Sequence, residues 1–206
     1  MSADFLDEYS TKELSKKTWP DLERLFKKPG VGDARWCWCT HHHQRSQPSP
    51  ENKRPRTRAE RALRNRREKR KLVHKGYPHG ILVYANREPV GWCQYGPREE
   101  LPRIDNSPKY RKLALEDDKA KWRITCFVVD KKYRRRGVAT ATLRAALKAI
   151  RNKGGGLIEA YPVSKTDQGS NYLYPGTATM FEKAGFKIVA PFGNGRTTTV
   201  VMQRTL

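Results

Sequence analysis

The feature that most restricts the fold is an apolar run that leads through a basic loop into an apolar helix. Residues 122–130 read WRITCFVVD, which is typical of a strand covered on both faces of its sheet. From Gly137 onward apolar residues recur at helical spacing, and the glycines of NKGGG end that helix. A buried strand followed closely by such a helix predicts an α/β fold.

The loop between this strand and this helix contains three consecutive arginines, Arg134, Arg135 and Arg136. The first turn of a helix has backbone N–H groups without partners and carries a partial positive charge. Gly137 lets the backbone approach an anion closely, Ala139 adds little bulk, and Thr140 can offer a hydroxyl group. We therefore expect a pyrophosphate site here, with a solvated run of charges as the alternative interpretation.

Local signals predict several further elements. Thr18 is expected to cap a helix with four apolar residues on one face, Trp19, Leu22, Leu25 and Phe26. A hairpin is predicted from two apolar strands around a polar turn, at residues 81–85, 86–87 and 90–95. Short helical turns are expected in the polar stretch between the hairpin and the buried strand.

Positive charge is the outlier in the composition. The chain has 43 Lys and Arg against 21 Asp and Glu, a net charge of +22, which attracts polyanions or polyphosphates. Within residues 53–75 there are 12 basic residues and two glutamates. The capping box Thr57-x-x-Glu60 begins a helix that runs to about residue 75. Residues 44–56 before it, which are polar and contain prolines, are predicted to be a mobile linker.

This basic helix has two interpretations. In the first it is a solvated helix that rests on five apolar residues, Ala59, Ala62, Leu63, Leu72 and Val73. In the second it contacts RNA, DNA or an anionic membrane, or serves as a nuclear address. The first interpretation is favoured.

The segment RWCWCTHHH also has two interpretations. A zinc site would use Cys37, Cys39 and one of the histidines 41–43, but no second ligand pair follows at the usual spacing. Alternation of Trp and Cys over residues 36–39 favours a short strand, buried or lining a substrate pocket, with both tryptophans on one face. We expect the strand and no metal.

The four cysteines are too few and too scattered for a disulfide framework. No apolar run reaches the roughly 18 residues of a membrane span, and the acidic N-terminal residues resemble neither a signal peptide nor a transit peptide. We expect a reducing compartment, which is the cytoplasm, or the nucleus if the chain is eukaryotic.

A family resemblance rests on the basic loop and its surroundings. Arg134-x-x-Gly137-x-Ala139 matches the signature Q/R-x-x-G-x-G/A, and the strand, loop, helix, glycine stop and second strand follow in the family's order. Residues 176–186, GTATMFEKAGF, look like the family's next helix with its Gly-Phe ending. Over roughly residues 78–204, the chain resembles the GNAT superfamily of acetyl-CoA-dependent N-acetyltransferases.

The resemblance implies a fold. It is a single domain over residues 1–206 with a mixed, mostly antiparallel sheet, helices on both faces, and a V-shaped splay between the two central parallel strands. The linker 44–56 and the basic helix 57–75 would be an insertion on the acceptor side. The assembly would be a monomer or a homodimer.

The resemblance also implies a coenzyme site for acetyl-CoA as cosubstrate, without a metal. The pantetheine arm would pair with the strand edge at residues 127–129 as a missing strand does. Backbone amides of residues 135–140 would hold the pyrophosphate, and one or two arginine side chains would reach phosphate oxygens. The implied coenzyme-binding residues are Phe127, Val128, Val129, Arg134, Arg135, Arg136, Gly137, Val138, Ala139 and Thr140.

The family's usual catalytic residues are missing from their places, which hold Arg123 instead of a glutamate base and Phe181 instead of a tyrosine acid. Glu159 is the preferred candidate for the base, with a structural salt bridge as an equal alternative. The candidates for the acid that protonates the leaving thiolate are Tyr172, Tyr161 and Tyr174, each of which could also be a packing residue.

Other candidates have ordinary structural interpretations too. Cys126 could be a nucleophile, but a buried strand cysteine is usually inert. His79 could be an acceptor-side base or a surface histidine. Four aromatic residues could line a pocket for a flat or cationic amine, or belong to the core: Trp36, Trp38, Trp92 and Tyr95.

Three functions follow from these interpretations. The preferred one is direct transfer of acetyl from acetyl-CoA to a small primary amine, such as an amino acid, a polyamine or an amine-bearing antibiotic. In the second, a protein lysine or a nucleic-acid-associated amine is the acceptor, and the basic helix 53–75 docks it. The third is a nucleic-acid-binding module that has lost catalysis.

Overall fold

The structure is a computed structural model that describes residues 9–44, 57–77, 79–113, 115, 119–193 and 195–206. The predicted linker lies outside the described residues except for its first residue, Gln44. Within the described part of the chain, the strands join in one eight-stranded sheet. No helix among the described residues is both long enough and apolar enough to cross a bilayer.

The strands of this sheet are β1 (Ser10–Glu13), β2 (Gly80–Ala85), β3 (Glu88–Pro97), β4 (Trp122–Val129), β5 (Leu157–Ala160), β6 (Val163–Thr166), β7 (Lys187–Gly193) and β8 (Thr197–Thr205). Their order is β1-β2-β3-β4-β5-β8-β6, and β7 pairs with β8. Only β4 and β5 pair in parallel among the described strands. The predicted mixed, mostly antiparallel sheet is therefore confirmed.

The central strands β4 and β5 separate part-way along β4. Their residues pair at Trp122–Ile158, Arg123–Glu159 and Ile124–Ala160. From there β4 continues to Val129 beside β3. Because the Asp130 N–H donates to the Val90 carbonyl of β3, the N–H groups of Phe127 and Val129 point the other way, into the opening. This is the predicted V-shaped splay.

Helices lie on both faces of the sheet. In the described residues they are α1 (Trp19–Lys27), α2 (Ala34–Cys37), α3 (Arg58–His74), α4 (Pro108–Arg111), α5 (Val138–Asn152) and α6 (Ala178–Glu182). Side chains of β2 alternate between the two faces. Ile81 and Val83 share a core with α5, whereas Leu82 and Tyr84 share one with α1. The prediction of a sheet covered on both faces is confirmed.

The N-terminus of α5 lies close against β3. A Cβ atom added at Gly91 of β3 would lie 2.4 Å from Cγ1 of Val138, the first residue of α5. The missing side chain thus lets the helix start, and the basic loop before it, approach the sheet.

The predicted hairpin and α1 both form, with one difference in the cap. Asn86 and Arg87 have φ of 48° and 67°, as a two-residue hairpin turn requires. The predicted apolar face of α1 is buried. Thr18 is the N-cap residue of α1, as predicted, but its hydroxyl does not cap the helix. It instead accepts from the Ser15 N–H at 2.8 Å and donates to the Glu13 carbonyl at 2.9 Å.

The basic helix α3 is capped as predicted but packs through different residues. The Thr57 hydroxyl accepts from the Glu60 N–H at 3.1 Å, and the Glu60 carboxylate accepts from the Thr57 N–H at 3.3 Å. The buried residues of α3 are Asn65, Lys69 and Val73. Of the predicted apolar contacts only Val73 is buried, and Leu63 is 46% exposed. The buried residues of α3 follow one another at a spacing of four, but two of them are polar. A search for periodic apolar residues therefore could not find this face.

Residues 36–39 form the end of a helix and a turn, so the predicted strand is wrong. After α2, Trp38 and Cys39 have φ of 52° and 47°. Two consecutive residues in the left-handed region end the alternation that a strand requires. The Trp38 ring packs against Trp19 and Phe26, with ring centroids 5.8 and 5.4 Å apart.

Candidate active site

A large cleft opens where β4 and β5 separate. Its volume is about 1580 Å³, which exceeds the roughly 300–1,000 Å³ of a site for one drug-sized ligand. The β4 edge, the basic loop and the region of α6 line one part of it, through residues 126–129, 134–135, 137–140, 176–177, 179–180 and 183. The segment around α2 and the start of α3 line another part. The cleft therefore has room for a coenzyme and a second molecule.

The basic loop and the first turn of α5 line this cleft, except for Arg136. Arg135 and Gly137 have φ of 62° and 80°, so the chain turns sharply before α5. Among the described residues, no backbone carbonyl accepts a hydrogen bond from the N–H groups of residues 135–140. A Cβ atom added at Gly137 would meet nothing within 4 Å. These donors are available to an anion at the helix N-terminus, as predicted for a pyrophosphate.

The three arginine side chains of the loop differ in their surroundings. Arg134 donates from Nη2 to the Gly30 carbonyl at 2.6 Å and lines the cleft. Arg135 is exposed and also lines the cleft. Arg136 is not among the lining residues, and its guanidinium lies 5.9 Å from the ring centroid of Tyr133. Arg135 is the one of the three that is placed to reach a phosphate without first giving up a backbone partner.

The strand edge predicted to pair with pantetheine lines the cleft at Phe127, Val128 and Val129. One of its groups already has a protein partner, because the Phe127 N–H donates to the Tyr174 carbonyl at 2.6 Å. The segment Ser170–Leu173 and Tyr174 thus bridge the opening between the separated strands.

The predicted catalytic residues fall into two groups. Tyr172 and Tyr174 line the cleft and are 50% and 53% exposed. Glu159 is fully buried, and neither it nor Tyr161 is among the lining residues. The structure therefore brings Tyr172 into the same cleft as the predicted coenzyme-binding residues but does not bring Glu159 and Tyr161 there.

Glu159 belongs to a buried hydrogen-bond network. Its carboxylate accepts from the hydroxyl of Tyr110 at 2.7 Å, from the hydroxyl of Tyr161, and from Nε2 of Gln203 at 3.1 Å. Arg123 lies beside it, with 3.8 Å between Nε and the carboxylate. Burial raises the pKa of Tyr161 well above its usual value, so this phenol keeps its proton.

The two residues at the family's usual catalytic positions have structural partners. The buried guanidinium of Arg123 donates to both carboxylate oxygens of Asp105, each at 2.7 Å. Phe181 is fully buried and packs edge-on against Phe127 and Phe186, with centroids 6.0 and 5.0 Å apart. Both side chains stabilise the sheet around the cleft.

Two cysteines meet at the base of the cleft. Sγ of Cys39 lies 3.3 Å from Sγ of Cys126, and both residues line the cleft. The hydrogen bond to Cys39 and burial raise the pKa of Cys126 well above its usual value. Cys126 is therefore a thiol at neutral pH, which agrees with the inert alternative. Among the described residues, no group of three or more His, Cys, Asp or Glu side chains is arranged to hold a metal ion.

Of the aromatic residues considered for an acceptor pocket, Trp36 lines the cleft. Trp38, Trp92 and Tyr95 are buried in the cores and do not line it. His79 lies outside the cleft and contacts Glu100, with 3.2 Å between Nδ1 and the carboxylate. Trp38, Trp92 and Tyr95 are core residues, as the alternative interpretation had it. His79 is not the surface histidine of its alternative, because its ring packs against Tyr95 and Trp122.

Several lining residues were not predicted as site residues, namely Arg58, Arg61, Arg64, Asn65, Gln94 and Arg103. His41 and His42, which were considered only as zinc ligands, line it as well. The arginines of α3 recur every three residues, a spacing that places them on one helix face and could have indicated a shared surface. For Gln94 and Arg103 the sequence carries no such signal.

Comparison with known proteins agrees with this geometry. A profile of the acetyltransferase (GNAT) family matches residues 36–175, which is more than half of the chain. The chain belongs to the GNAT family. It is accordingly an acetyl-CoA-dependent N-acetyltransferase, and the fold predicted from the resemblance is the GNAT fold. No curated protein matches the chain.

Solved GNAT structures share the fold across nearly the whole chain. A mutant agmatine N-acetyltransferase in its apo form has a TM-score of 0.56 and 10% identity, covering 97% of this chain and 100% of its own. The ribosomal-protein-alanine N-acetyltransferase of Brucella melitensis has a TM-score of 0.53 and 12% identity, and the match covers 96% of this chain and 99% of its own. The PaiA N-acetyltransferase of Thermoplasma acidophilum, in complex with coenzyme A, has a TM-score of 0.51 and 16% identity, and the match covers 96% of this chain and 99% of its own.

Proposed function

We propose that this GNAT enzyme transfers the acetyl group of acetyl-CoA directly to the primary amine of a small molecule. One observation carries the proposal. The amides of residues 135–140 have no backbone carbonyl partner among the described residues, and their loop lines a cleft whose other wall is formed around α2 and α3. A diphosphate at these amides would aim the rest of the coenzyme along that opening.

The coenzyme would be held mainly by backbone groups. Amides of residues 135–140 would bind the pyrophosphate, and the Arg135 side chain would reach a phosphate oxygen or the ribose 3′-phosphate. The Val129 N–H would pair with the pantetheine arm, since it points into the opening. At Phe127 the pantetheine would have to replace the Tyr174 carbonyl as acceptor.

The transfer needs a neutral amine, a stabilised oxyanion and a proton for the leaving thiolate. The amine nitrogen attacks the thioester carbonyl carbon, the C–S bond breaks, and the nitrogen releases one proton as the thiolate takes one up. Three phenols line the cleft, those of Tyr133, Tyr172 and Tyr174. We propose Tyr172 as the acid, with Tyr174 as its alternative.

For the acceptor's proton, the described lining residues offer two imidazoles, those of His41 and His42, and one carboxylate, that of Asp33. Burial, followed by the charges of His41 and Arg103, lowers the pKa of His42 to about 3, so its ring is neutral at physiological pH. Such a ring can accept a proton only transiently, or through water. The predicted role of Glu159 as base, like that of Tyr161 as acid, stays a prediction, and the network around Glu159 supports the structural alternative.

The acceptor class is the open part of the proposal. The similar solved structures include an enzyme named for agmatine and one named for a ribosomal-protein alanine. A concave cleft of this volume fits a small amine beside the coenzyme better than it fits a folded protein surface. Docking of a nucleic acid or protein on the basic helix remains the second candidate function, supported by the exposed basic residues of α3.

Two measurements test the proposal. Acetyl-CoA should raise the melting temperature of the protein, because it binds only the folded state. Thiol release from acetyl-CoA should then depend on a small primary amine. An unchanged melting temperature at millimolar acetyl-CoA, together with no amine-dependent thiol release, would refute the enzyme function.

A further inference from the structure

The wall of the cleft away from the coenzyme loop is built from arginines. Arg58, Arg61 and Arg64 come from successive turns of α3, and Arg103 comes from the segment before α4. Together we call them the acceptor-wall arginines. The N–H of Arg103 donates to the His42 carbonyl at 3.3 Å, and Nδ2 of Asn65 donates to the Trp36 carbonyl at 2.8 Å. These bonds fix both pieces of the wall to the segment around α2.

Carboxylates do not neutralise this wall. No described carboxylate forms an ion pair with any of the four acceptor-wall arginines, and Asp33 is the single carboxylate among the described lining residues. Some arginines outside the cleft do have carboxylate partners. Arg66 pairs with Glu23, and Arg98 pairs with Asp105 at 2.8 Å. The positive charge of this wall is therefore not neutralised by any described carboxylate.

A second observation points to a ligand at the same place. The side chain of Gln94 is fully buried and lines the cleft, and its Oε1 has no hydrogen-bond partner. Its Nε2 is held 2.7 Å from Nε2 of His43, which fixes the amide's orientation. A buried carbonyl oxygen without a donor is costly, so it is expected to receive one from a bound molecule. An amine supplies such a donor.

We infer that the acceptor is a small primary amine that also carries an anionic group, a phosphate or a carboxylate, bound by the acceptor-wall arginines. This inference rests on the proposed function. Guanidinium groups bind both anions through paired N–H donors. The amine end lies toward Gln94 and the separated strands, and the anionic end lies against Arg61, Arg64 and Arg103. Polyamines and other cationic amines are poor acceptors, because the wall repels them.

A small anion fits this arrangement better than a polyanion does. The acceptor-wall arginines line the cleft, and two of them, Arg64 and Arg103, are half-buried there. Arg67 and Arg70 of the same helix are exposed, as Arg58 and Arg61 are, but they do not line the cleft. A nucleic acid would use the exposed residues at least as much as the lining ones, and its affinity would fall steeply with salt. The two possibilities therefore predict different effects for substitutions on the two faces of α3.

The first experiment compares amines of matched length, followed through thiol release from acetyl-CoA. The probes are 2-aminoethanol, O-phosphoethanolamine, β-alanine and 1,3-diaminopropane. We expect kcat/KM to be at least tenfold higher for the phosphorylated or carboxylated amine than for the neutral one, and lowest for the diamine. The two anionic probes distinguish phosphate from carboxylate. Equal or faster turnover of neutral or cationic amines would overturn the inference.

The second experiment uses matched variants of α3. Arg61→Gln and Arg64→Gln should each lower kcat/KM for the anionic amine about tenfold, and leave the KM for acetyl-CoA unchanged. Arg67→Gln and Arg70→Gln remove the same charge from the exposed face and should have no effect. Equal losses in both pairs would indicate a docked polyanion instead. A higher KM for acetyl-CoA with unchanged amine selectivity would indicate that these arginines bind the coenzyme and not the acceptor. Either result overturns the inference.

A binding measurement separates this inference from the proposed function. In the presence of coenzyme A, O-phosphoethanolamine should raise the melting temperature of the wild type and of Arg70→Gln, but not of Arg61→Gln. This shift requires no turnover. If coenzyme A itself leaves the melting temperature unchanged, the proposed function fails. If coenzyme A stabilises the protein and no anionic amine adds to the effect, the anionic acceptor fails alone.

Discussion

At residue 137 the backbone has a φ of 80°, and open space lies where a side chain would begin. Gly137→Glu would add bulk and a negative charge next to the amides that we assign to the pyrophosphate. We expect affinity for acetyl-CoA to fall at least a hundredfold by calorimetry. The melting temperature without ligand should fall by only a few degrees, since the strain of a non-glycine residue there is about 1 kcal/mol.

The matched control is Gly76→Glu. Gly76 has a φ of 81°, has nothing within 4 Å of an added Cβ, and does not line the cleft. The strain on folding is thus comparable while the coenzyme site is untouched. Unchanged acetyl-CoA affinity in Gly137→Glu, or an equal loss in both variants, would contradict the phosphate-loop assignment.

Lys69 is a fully buried lysine, and its Nζ has no hydrogen-bond partner. Burial lowers the pKa of Lys69 to about 8, from its usual 10.5. Between these values the unfolded chain binds more protons than the folded one, so the lysine's cost to stability is full below pH 8 and disappears as pH rises toward 10.5. Its ammonium lies 5.3 Å from the ring centroid of Trp92, which offsets part of the cost.

Replacement of Lys69 should therefore raise the free energy of unfolding, by an amount that depends on pH. Lys69→Met should raise the free energy of unfolding by about 1–3 kcal/mol at pH 7, and this gain should shrink as pH rises from 8 to 10.5. Urea unfolding at pH 7, 8.5 and 10 measures it, with exposed Lys75→Met as the control. A variant less stable than wild type at pH 7 would show that the ammonium has a compensating partner.

Among the elements, β4, the basic loop and α5 were predictable because their signals are local. An apolar run, a glycine and a helical repeat follow one another without interruption, and each is decided by neighbours in sequence. The buried face of α3 was not predictable. Asn65 and Lys69 are polar, and what buries them is the α2 segment and Trp92, which lie far away in sequence. Trp38 and Cys39 were mistaken for strand residues for the same reason.

The capping box of α3 offers a test at the scale of one element. Thr57→Ala removes the acceptor for the Glu60 N–H and should cost about 1 kcal/mol of unfolding free energy. Thr57→Ser retains the hydroxyl and should stay close to wild type. Because α3 carries three acceptor-wall arginines, a frayed first turn should also raise the KM for the amine. A loss of equal size in the serine variant would show that the cap hydrogen bond does not stabilise the helix.

Across the whole molecule, one polar network joins the two strands that part to form the cleft. It links Arg123 of β4, Glu159 of β5 and Gln203 of β8 with Tyr110 of α4. Its position explains why the catalytic carboxylate was the weakest of the site predictions. In sequence, a glutamate between apolar residues has the same pattern whether it serves chemistry or holds strands together. Only the fold shows which other polar groups surround it.

Glu159→Gln separates these two roles. We expect the variant to lose about 1–3 kcal/mol of stability, because buried hydrogen bonds to a charged group are lost. Turnover of the folded enzyme should change less than about threefold. Chemical unfolding and steady-state kinetics at pH 7 measure both. A hundredfold lower kcat with unchanged stability would support the original prediction of Glu159 as the base.

The predicted single domain, the monomer or homodimer, and the cytoplasmic or nuclear location stay predictions. The side of the cleft proposed for each ligand follows from the fold, because a sheet with separated parallel strands gives the cleft two unlike walls. The wall proposed for the coenzyme contains the motif Arg134-x-x-Gly137-x-Ala139, which is recognisable in the sequence alone. The acceptor wall is assembled from segments 58–64, 94 and 103, which are remote in sequence, so its composition emerged only from the fold.

The Tyr174 carbonyl accepts a hydrogen bond from the Phe127 N–H, at the place where the proposed coenzyme would bind that N–H. Deuterium uptake at the Phe127 amide should be slow with or without coenzyme, since one partner merely takes over from another. Val129, whose amide faces the same opening, should become protected only when the coenzyme arrives. The amides of residues 170–174 should exchange faster when the coenzyme binds. Coenzyme binding would thus make this segment more mobile while it protects the Val129 amide of β4.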